Sequence, residues 1–212
     1  MTTNVDGGTQ SPWLPFETRR RDRDVKREAV LRTAAQMFLD RGYHRTKLTD
    51  VADRLNITKP ALYNYFKSKE EILYACWMLG KEKAYASIER IDTEGGSGLS
   101  KLRRLIHDYS KLMTVDFGMC MVCLDDRELS DEWRAEVRRH KRYVDAAYRR
   151  YITEGMADGS VAPCDPKLTA FAISGALNWV GHWYKARGEY GPEEIAEQFV
   201  ATLTGGVVGK KA

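Results

Sequence analysis

No stretch of the 212-residue chain is apolar over the roughly 20 residues that a membrane span requires, so no span is expected. The opening residues, MTTNVDGGTQSPWLPFE, lack the basic-then-apolar order of a secretory signal. Cysteine is scarce: Cys76, Cys120, Cys123 and Cys164 are all there is. Cys120 and Cys123 form a C-x-x-C, but no second Cys/His pair stands at a usable spacing, and no metal is expected. These four read as reduced, buried thiols of a cytoplasmic protein. His107, His140 and His182 are scattered, without an H-E-x-x-H or nucleophile motif, so neither catalysis nor a cofactor is expected. Alternation of period two and internal repeats are also missing, which leaves an all-α chain.

Charge of one sign is not in large excess, since the net charge is only +4. Its distribution is uneven. Between Arg19 and Lys69 there are 14 Lys/Arg against 6 Asp/Glu, whereas the remainder holds 20 basic and 24 acidic residues. A basic N-terminal quarter on a mildly acidic body is the footprint of a nucleic-acid-binding module joined to something else.

Glycine, proline and polar clusters divide the chain into helical segments. Residues 1–18 carry Gly7, Gly8, Pro12 and Pro15 and read as a disordered leader. From about Asp24 to Arg41, Val30, Leu31, Ala34, Met37 and Phe38 make one apolar stripe, stopped by Gly42. Thr46 is expected to cap a second helix carrying Leu48, Val51, Ala52 and Leu55, and Asn56, which tolerates positive φ, to end it. Thr58 caps a short third helix with Pro60 in its first turn. Ser68 and Glu71 form a capping box for a fourth helix reaching about Arg90. DTEGGSG (92–98) reads as a flexible link. Later helices are expected near 99–115, 119–129, 130–154, 165–187 and 192–204, started by Ser130, Asp165 and Pro192.

Two short helices after a longer one have the dimensions of a helix-turn-helix. In the third helix Leu62 and Phe66 lie at i, i+4 and can pack on Phe38, Val51 and Leu55. Lys59, Tyr63 and Asn64 then project from the other side and Tyr65 from its edge. Ammonium groups there neutralise phosphates, and phenolic hydroxyls donate to phosphate oxygens. Lys69, in the first turn of the fourth helix, marks another phosphate seat. Arg19–Arg27 (RRRDRDVKR) is either an arm toward the DNA or, as Asp22 and Asp24 favour, a solvated extension of the first helix.

The spacing G-Y-x-x-T-x-x-x-x-V-A-x-x-L-N-I-T-x-x-x-L-Y-x-Y-F-x-S-K-E-E-I-L, Gly42 to Leu73, resembles the signature of the tetracycline-repressor (TetR) family. The family usually has glycine where this chain has Asn56. The resemblance implies a helix-turn-helix domain over residues 19–69, a helical ligand-binding and dimerisation domain over 70–212, and a homodimer on a palindromic double-stranded operator. It also implies DNA contacts from Thr46, Lys47 and Thr49 around the second helix. Thr58, Lys59, Pro60, Ala61, Tyr63, Asn64 and Tyr65 would form the recognition surface, with Lys69 on a phosphate.

In the body, large soft apolar residues on helices that must bundle suit both a plain core and an adaptable ligand pocket. Within a regulator the pocket is the better reading, with Trp77, Tyr109, Met113, Phe117, Cys120, Met121 and Trp133 as lining and Asn178 as a polar anchor. The final stretch, GALNWVGHWYKARGEYGPEEIAEQFVATLTGGV, resembles TetR regulators of fatty-acid, steroid and aromatic-acid breakdown. That likeness implies an acyl-CoA-like or other hydrophobic effector, with Arg103, Arg104, Arg138, Arg142, Arg149 and Arg150 as candidates for CoA phosphates. The dimer is expected through helices at about 165–187 and 192–204, using Phe171, Ile195, Phe199 and Leu203. Two alternatives stay open: a drug-sensing efflux regulator, and an interaction module without a small ligand.

Overall fold

The computed structural model describes residues 16–206, with side chains from Asp22 onward. Residues 1–15, most of the expected leader, lie outside the described residues, and Phe16–Thr18 already belong to a helix. The described residues form nine α-helices and a 3-10 turn, without a strand. The helices are α1 (Phe16–Arg41), α2 (Leu48–Arg54), α3 (Lys59–Tyr63), α4 (Lys69–Glu94), α5 (Gly98–Leu112), α6 (Asp116–Cys123), α7 (Asp131–Ala157), α8 (Pro166–Trp183) and α9 (Pro192–Gly205). None is long and apolar enough to cross a membrane.

Local chemistry accounts for most boundaries. The hydroxyls of Thr58, Ser68, Ser97 and Ser130 accept from backbone N–H groups of the turn they open, and the Asp165 carboxylate does so twice. Asn56 holds φ 54°, the conformation its side chain tolerates. The expected box at Ser68 is completed one residue earlier, because Glu71 accepts from the Lys67 N–H at 2.6 Å. Thr46 does not cap α2. Lys47 occupies that position, its N–H donating to Asp50 at 3.4 Å, while the Thr46 hydroxyl donates to the carbonyls of Met37 and Gly42 at 3.1 and 3.0 Å. Thr46 therefore closes the α1–α2 turn from inside.

Two expected segments are reshaped. Asp92, Thr93 and Glu94 continue α4, so the link shrinks to the glycine turn, in which Gly95 and Gly96 have φ of 68° and 106°. The helix expected at 119–129 starts earlier, at Asp116, and ends at Cys123, before a 3-10 turn at Asp126–Glu128. Gly118 permits this, since a Cβ there would stand 1.8 Å from the Leu112 carbonyl oxygen.

Phe38, Val51, Leu62 and Phe66 form the centre of the N-terminal core, as the stripes in α1–α3 require. Ile72 and Cys76 of α4 join it, and so do Phe117 and Cys120 of α6. The joint between the two domains is thus built by two helices. A second core, around Ile88, Leu102, Tyr148, Tyr151 and Leu177, holds α4, α5, α7 and α8 together.

Candidate nucleic-acid interface and effector cavity

Leu62 on α3 and Phe66 just beyond it are fully buried, which fixes the rotation of the helix. Thr58, Lys59, Pro60 and Asn64 are exposed, and Ala61, Tyr63 and Tyr65 are half-buried at its flank. Lys59 Nζ lies 5.7 Å from the centre of the Tyr63 ring, so a cation rides on an aromatic face at the start of the helix. Lys47, at the cap position before α2, is exposed, and the half-buried Thr49 hydroxyl donates to Asp50 at 3.3 Å. All of the expected recognition residues except Thr46 thus keep solvent access. Thr46 is fully buried and leaves the candidate surface.

Lys69 is differently engaged from the free cation the sequence suggests. Its ammonium donates to the carbonyls of Tyr43 and His44 at 3.0 and 3.4 Å and sits 4.6 Å from the Tyr43 ring centre. It fastens the α1–α2 turn to the start of α4 and retains one N–H for another acceptor. Burial, with Glu128 and Glu70 nearby, pushes the Tyr43 phenol up to about 12. Residues 19–27 form the first turns of α1: Lys26 pairs with Asp22 at 2.6 Å, and the Arg27 guanidinium covers Phe66 at 4.6 Å. Arg27 thus serves as a lid on the core of the DNA-binding domain.

The body contains a cavity of about 420 Å³ between α4, α6, α7 and α8. Four of the expected residues line it: Trp77, Tyr109, Met121 and Asn178. The other four are elsewhere. Phe117 and Cys120 face the N-terminal core; Met113 is buried with Leu112, Val180 and Ile195; and Trp133 stacks on Tyr74 at 4.5 Å, its ring tilted by 11°. An apolar run on α6 cannot say which side of the helix meets which domain, and the two sides divide here. Contact with the Cys76 thiol, then burial, raises the Cys120 thiol well above its ordinary range, so it stays protonated.

Sequence reasoning missed Lys81, Tyr85, His140, Val144, Tyr148 and Ser174 on the cavity wall. Their signal was the helical repeat from Trp77 through Lys81 to Tyr85, and from Lys141 through Val144 to Tyr148. The Tyr109 hydroxyl donates to Asn178 Oδ1 at 3.1 Å, and burial pushes its phenol up to about 12. His140 shares a 2.7 Å hydrogen bond between Nδ1 and the Tyr85 hydroxyl; burial lowers its pKa despite Glu136 nearby. A second groove of about 550 Å³, against α5 and the start of α9, is more open, and its Arg90 and Lys111 are paired with Asp108 and Glu193. Among the arginines considered for CoA phosphates, Arg104, Arg149 and Arg150 are held by Glu94, Asp145 and Asp92.

An exposed apolar stripe runs along α8, with Leu168 65 %, Phe171 50 %, Trp179 63 % and Trp183 38 % exposed. Ile195, expected on the same face, is buried, and Phe199 and Leu203 are half-buried against the body's own core. No group of three His, Cys, Asp or Glu side chains among the described residues could hold a metal.

Residues 30–76 match the model of bacterial regulatory proteins of the tetR family, and residues 95–207 match the tetracycline-repressor-like C-terminal domain. The HTH-type transcriptional repressor KstR2 of Mycolicibacterium smegmatis is 30% identical over 197 residues, covering 86% of this chain and 90% of that one. The structure of the ketosteroid transcriptional regulator KstR2 of Mycobacterium tuberculosis superposes with a TM-score of 0.81 at 21% identity, over 87% of this chain and 96% of that one. AibR in complex with isovaleryl coenzyme A and operator DNA gives 0.73 at 25% identity, over 84% and 97%. With an N-terminal helix-turn-helix, a helical C-terminal domain and both family models matched, this chain belongs to the TetR family of DNA-binding transcriptional regulators.

Proposed function

We propose that the protein is an effector-responsive repressor that binds a palindromic operator as a homodimer, and that its effector is an acyl-CoA-like hydrophobic molecule. The observation that carries this reading is the cavity: about 420 Å³, within the range of small-molecule sites, and walled by the same two helices that enter the DNA-domain core. On α4, Trp77 faces the cavity while Cys76 faces the N-terminal core; on α6, Met121 and Cys120 divide in the same way. A change of packing in the cavity therefore shifts helices on which the DNA-binding domain rests. The KstR2 relative is a repressor, and the AibR neighbour holds isovaleryl coenzyme A together with operator DNA, which supports both halves of the proposal.

The recognition surface is α3, with Lys47, Thr49, Thr58, Lys59, Pro60, Ala61, Tyr63, Asn64 and Tyr65 at or beside the DNA, and Lys69 bracing the turn behind it. Pairing of two copies uses the apolar stripe of α8, with α9 alongside, and two-fold symmetry sets the two recognition helices in successive major grooves about 34 Å apart. Thermal-shift titration with acyl-CoAs, free fatty acids and lipophilic cations, read beside operator release, tests the reading. Stabilisation and release by acyl-CoAs support it. A response to lipophilic cations alone makes the protein a drug sensor, and no response to any class favours an interaction module.

A further inference from the structure

Two buried side-chain groups and one half-buried amide around the cavity of the body decide what it can hold. The Trp77 indole N–H and the Tyr148 hydroxyl are both buried, both belong to residues lining the cavity, and neither has a hydrogen-bond partner among the described residues. Asn178, the third, has its carbonyl oxygen taken by the Tyr109 hydroxyl, so its amide N–H groups remain for the cavity. An indole N–H can only donate, and a buried donor left unpaired costs more than a made hydrogen bond returns. The wall also carries Lys81, which has no carboxylate partner among the described residues. The carboxylates on the same wall, Asp125, Asp126 and Asp145, are held by Arg127, Lys141 and Arg149, so the groups left without partners there are donors.

The two orphan donors stand at different levels. Lys141 lies over the Trp77 ring at 5.0 Å, which places Trp77 beside that turn of α7. Tyr148 follows seven residues later on α7, about 10 Å further at 1.5 Å per residue, where its ring meets Tyr109 edge-on at 6.2 Å. One oxygen atom cannot serve both.

We infer that the effector carries two oxygen acceptors, such as two carbonyls, separated by an apolar body of about 10 Å, one received by the Trp77 N–H and the other by the Tyr148 hydroxyl. This deepens the effector-cavity reading and rests on it. Neither donor has a partner within the protein among the described residues, so a ligand that brings the two acceptors is recognised by pairing groups that its competitors leave unpaired. A hydrocarbon of the same length would fill the space and leave both donors unpaired.

The test is a matched pair of probes, 2,10-undecanedione and 2-undecanone, titrated by calorimetry into the full-length protein and into the Trp77→Phe and Tyr148→Phe variants. The wild-type protein binds the dione about tenfold more tightly than the mono-ketone. Each variant loses that preference, because only one acceptor can then be paired, while its affinity for the mono-ketone stays within about twofold. Tyr148→Phe also melts at or above the wild-type temperature, since it removes an orphan hydroxyl without removing the ring. Equal affinity for the two ketones in the wild type, or a preference that survives both substitutions, overturns the inference. So does failure of either ketone to bind. The cavity reading is judged separately by the acyl-CoA and fatty-acid melting shifts, so the two can fail independently.

Discussion

The side-chain amide of Gln36 on α1 donates to the Asp116 carboxylate on α6 at 3.3 Å, bridging the DNA-binding domain and the first turn of a helix of the body. One turn earlier on α1, the Arg32 guanidinium stands 5.4 Å from the centre of the Phe117 ring. These contacts make α6 a second connection between the domains, beside the long α4. The far end of α6 carries Met121 and Val122 on the cavity wall. A short helix with one end under α1 and the other on the cavity wall is, beside the 26-residue α4, a second rigid element joining the two.

Replacing Phe117 by Ala is expected to destabilise the protein by about 3–5 kcal/mol, because a buried ring is removed from a packed core. Operator affinity should fall even without effector, since the cavity opens beneath α1. Urea unfolding and mobility-shift titration measure the two effects. Intact ligand-free DNA binding with altered effector affinity would put Phe117 back in the pocket.

Salt titrations should separate the lysines. Lys59→Ala should lower the slope of log K against log salt by about 0.9, the signature of one lost phosphate contact. Lys69→Ala should in addition cost about 1 kcal/mol of stability, because two backbone carbonyls lose a charged donor. An unchanged melting curve for Lys69→Ala would show that its bonds to the Tyr43 and His44 carbonyls carry no weight.

The dimer prediction moves with the exposed surface. Trp179→Arg is expected to give folded monomers in sedimentation velocity and to abolish operator binding, because Trp179 is largely exposed on the α8 stripe. Ile195→Asp should unfold the body instead, since Ile195 is buried within one chain. A DNA-competent dimer of Trp179→Arg would place the interface elsewhere.

Burial lowers the His140 pKa below 6.5, so the unfolded chain takes up this proton at higher pH than the folded one. Between the lowered value and about 6.5 the unfolded state binds more protons, and stability rises with pH through that window and levels off above it. The partners facing the ring are Tyr85, Glu136, Lys81 and Arg139. His140→Gln should flatten this part of the profile in urea melts between about pH 5 and 7.5. A slope that persists in the variant would assign it to other groups.

The helices and the exposed side of α3 were legible because they rest on local rules: stripes of period 3.6, caps at Thr58, Ser68, Ser130 and Asp165, and positive φ at Asn56. The failures are all choices between neighbours. Thr46 has the side chain of a cap, yet the carbonyls of Met37 and Gly42 compete for its hydroxyl and win. Phe117 and Cys120 lie in the same apolar run as Met121, and only the docking of α1 decides which face each takes. The helical repeat puts Tyr148 on the wall with Lys141 and Val144, but a buried tyrosine is ordinary until its hydroxyl proves to have no partner.

The division of α6 yields the sharpest test of coupling. Met121 touches the cavity, and Gly80 of α4 makes room for it, since a Cβ on Gly80 would stand 2.1 Å from the Met121 sulfur. Cys120, the residue before it, is sealed into the DNA-domain core. Met121→Ala should therefore change effector affinity while leaving ligand-free operator affinity within about twofold, because it alters one wall of the cavity and none of the α1 contact. Cys120→Leu should do the reverse: overpacking beneath α1 costs about 1–3 kcal/mol and shifts the ligand-free operator affinity itself. For a hundredfold release of operator, the effector must prefer the released arrangement by about 2.7 kcal/mol. If α6 carries that preference, the double variant should show a coupling energy between effector and operator clearly below the wild-type value, measured as the ratio of operator affinities with and without effector. Full coupling in the double variant would leave α4 as the sole connection and remove α6 from the pathway.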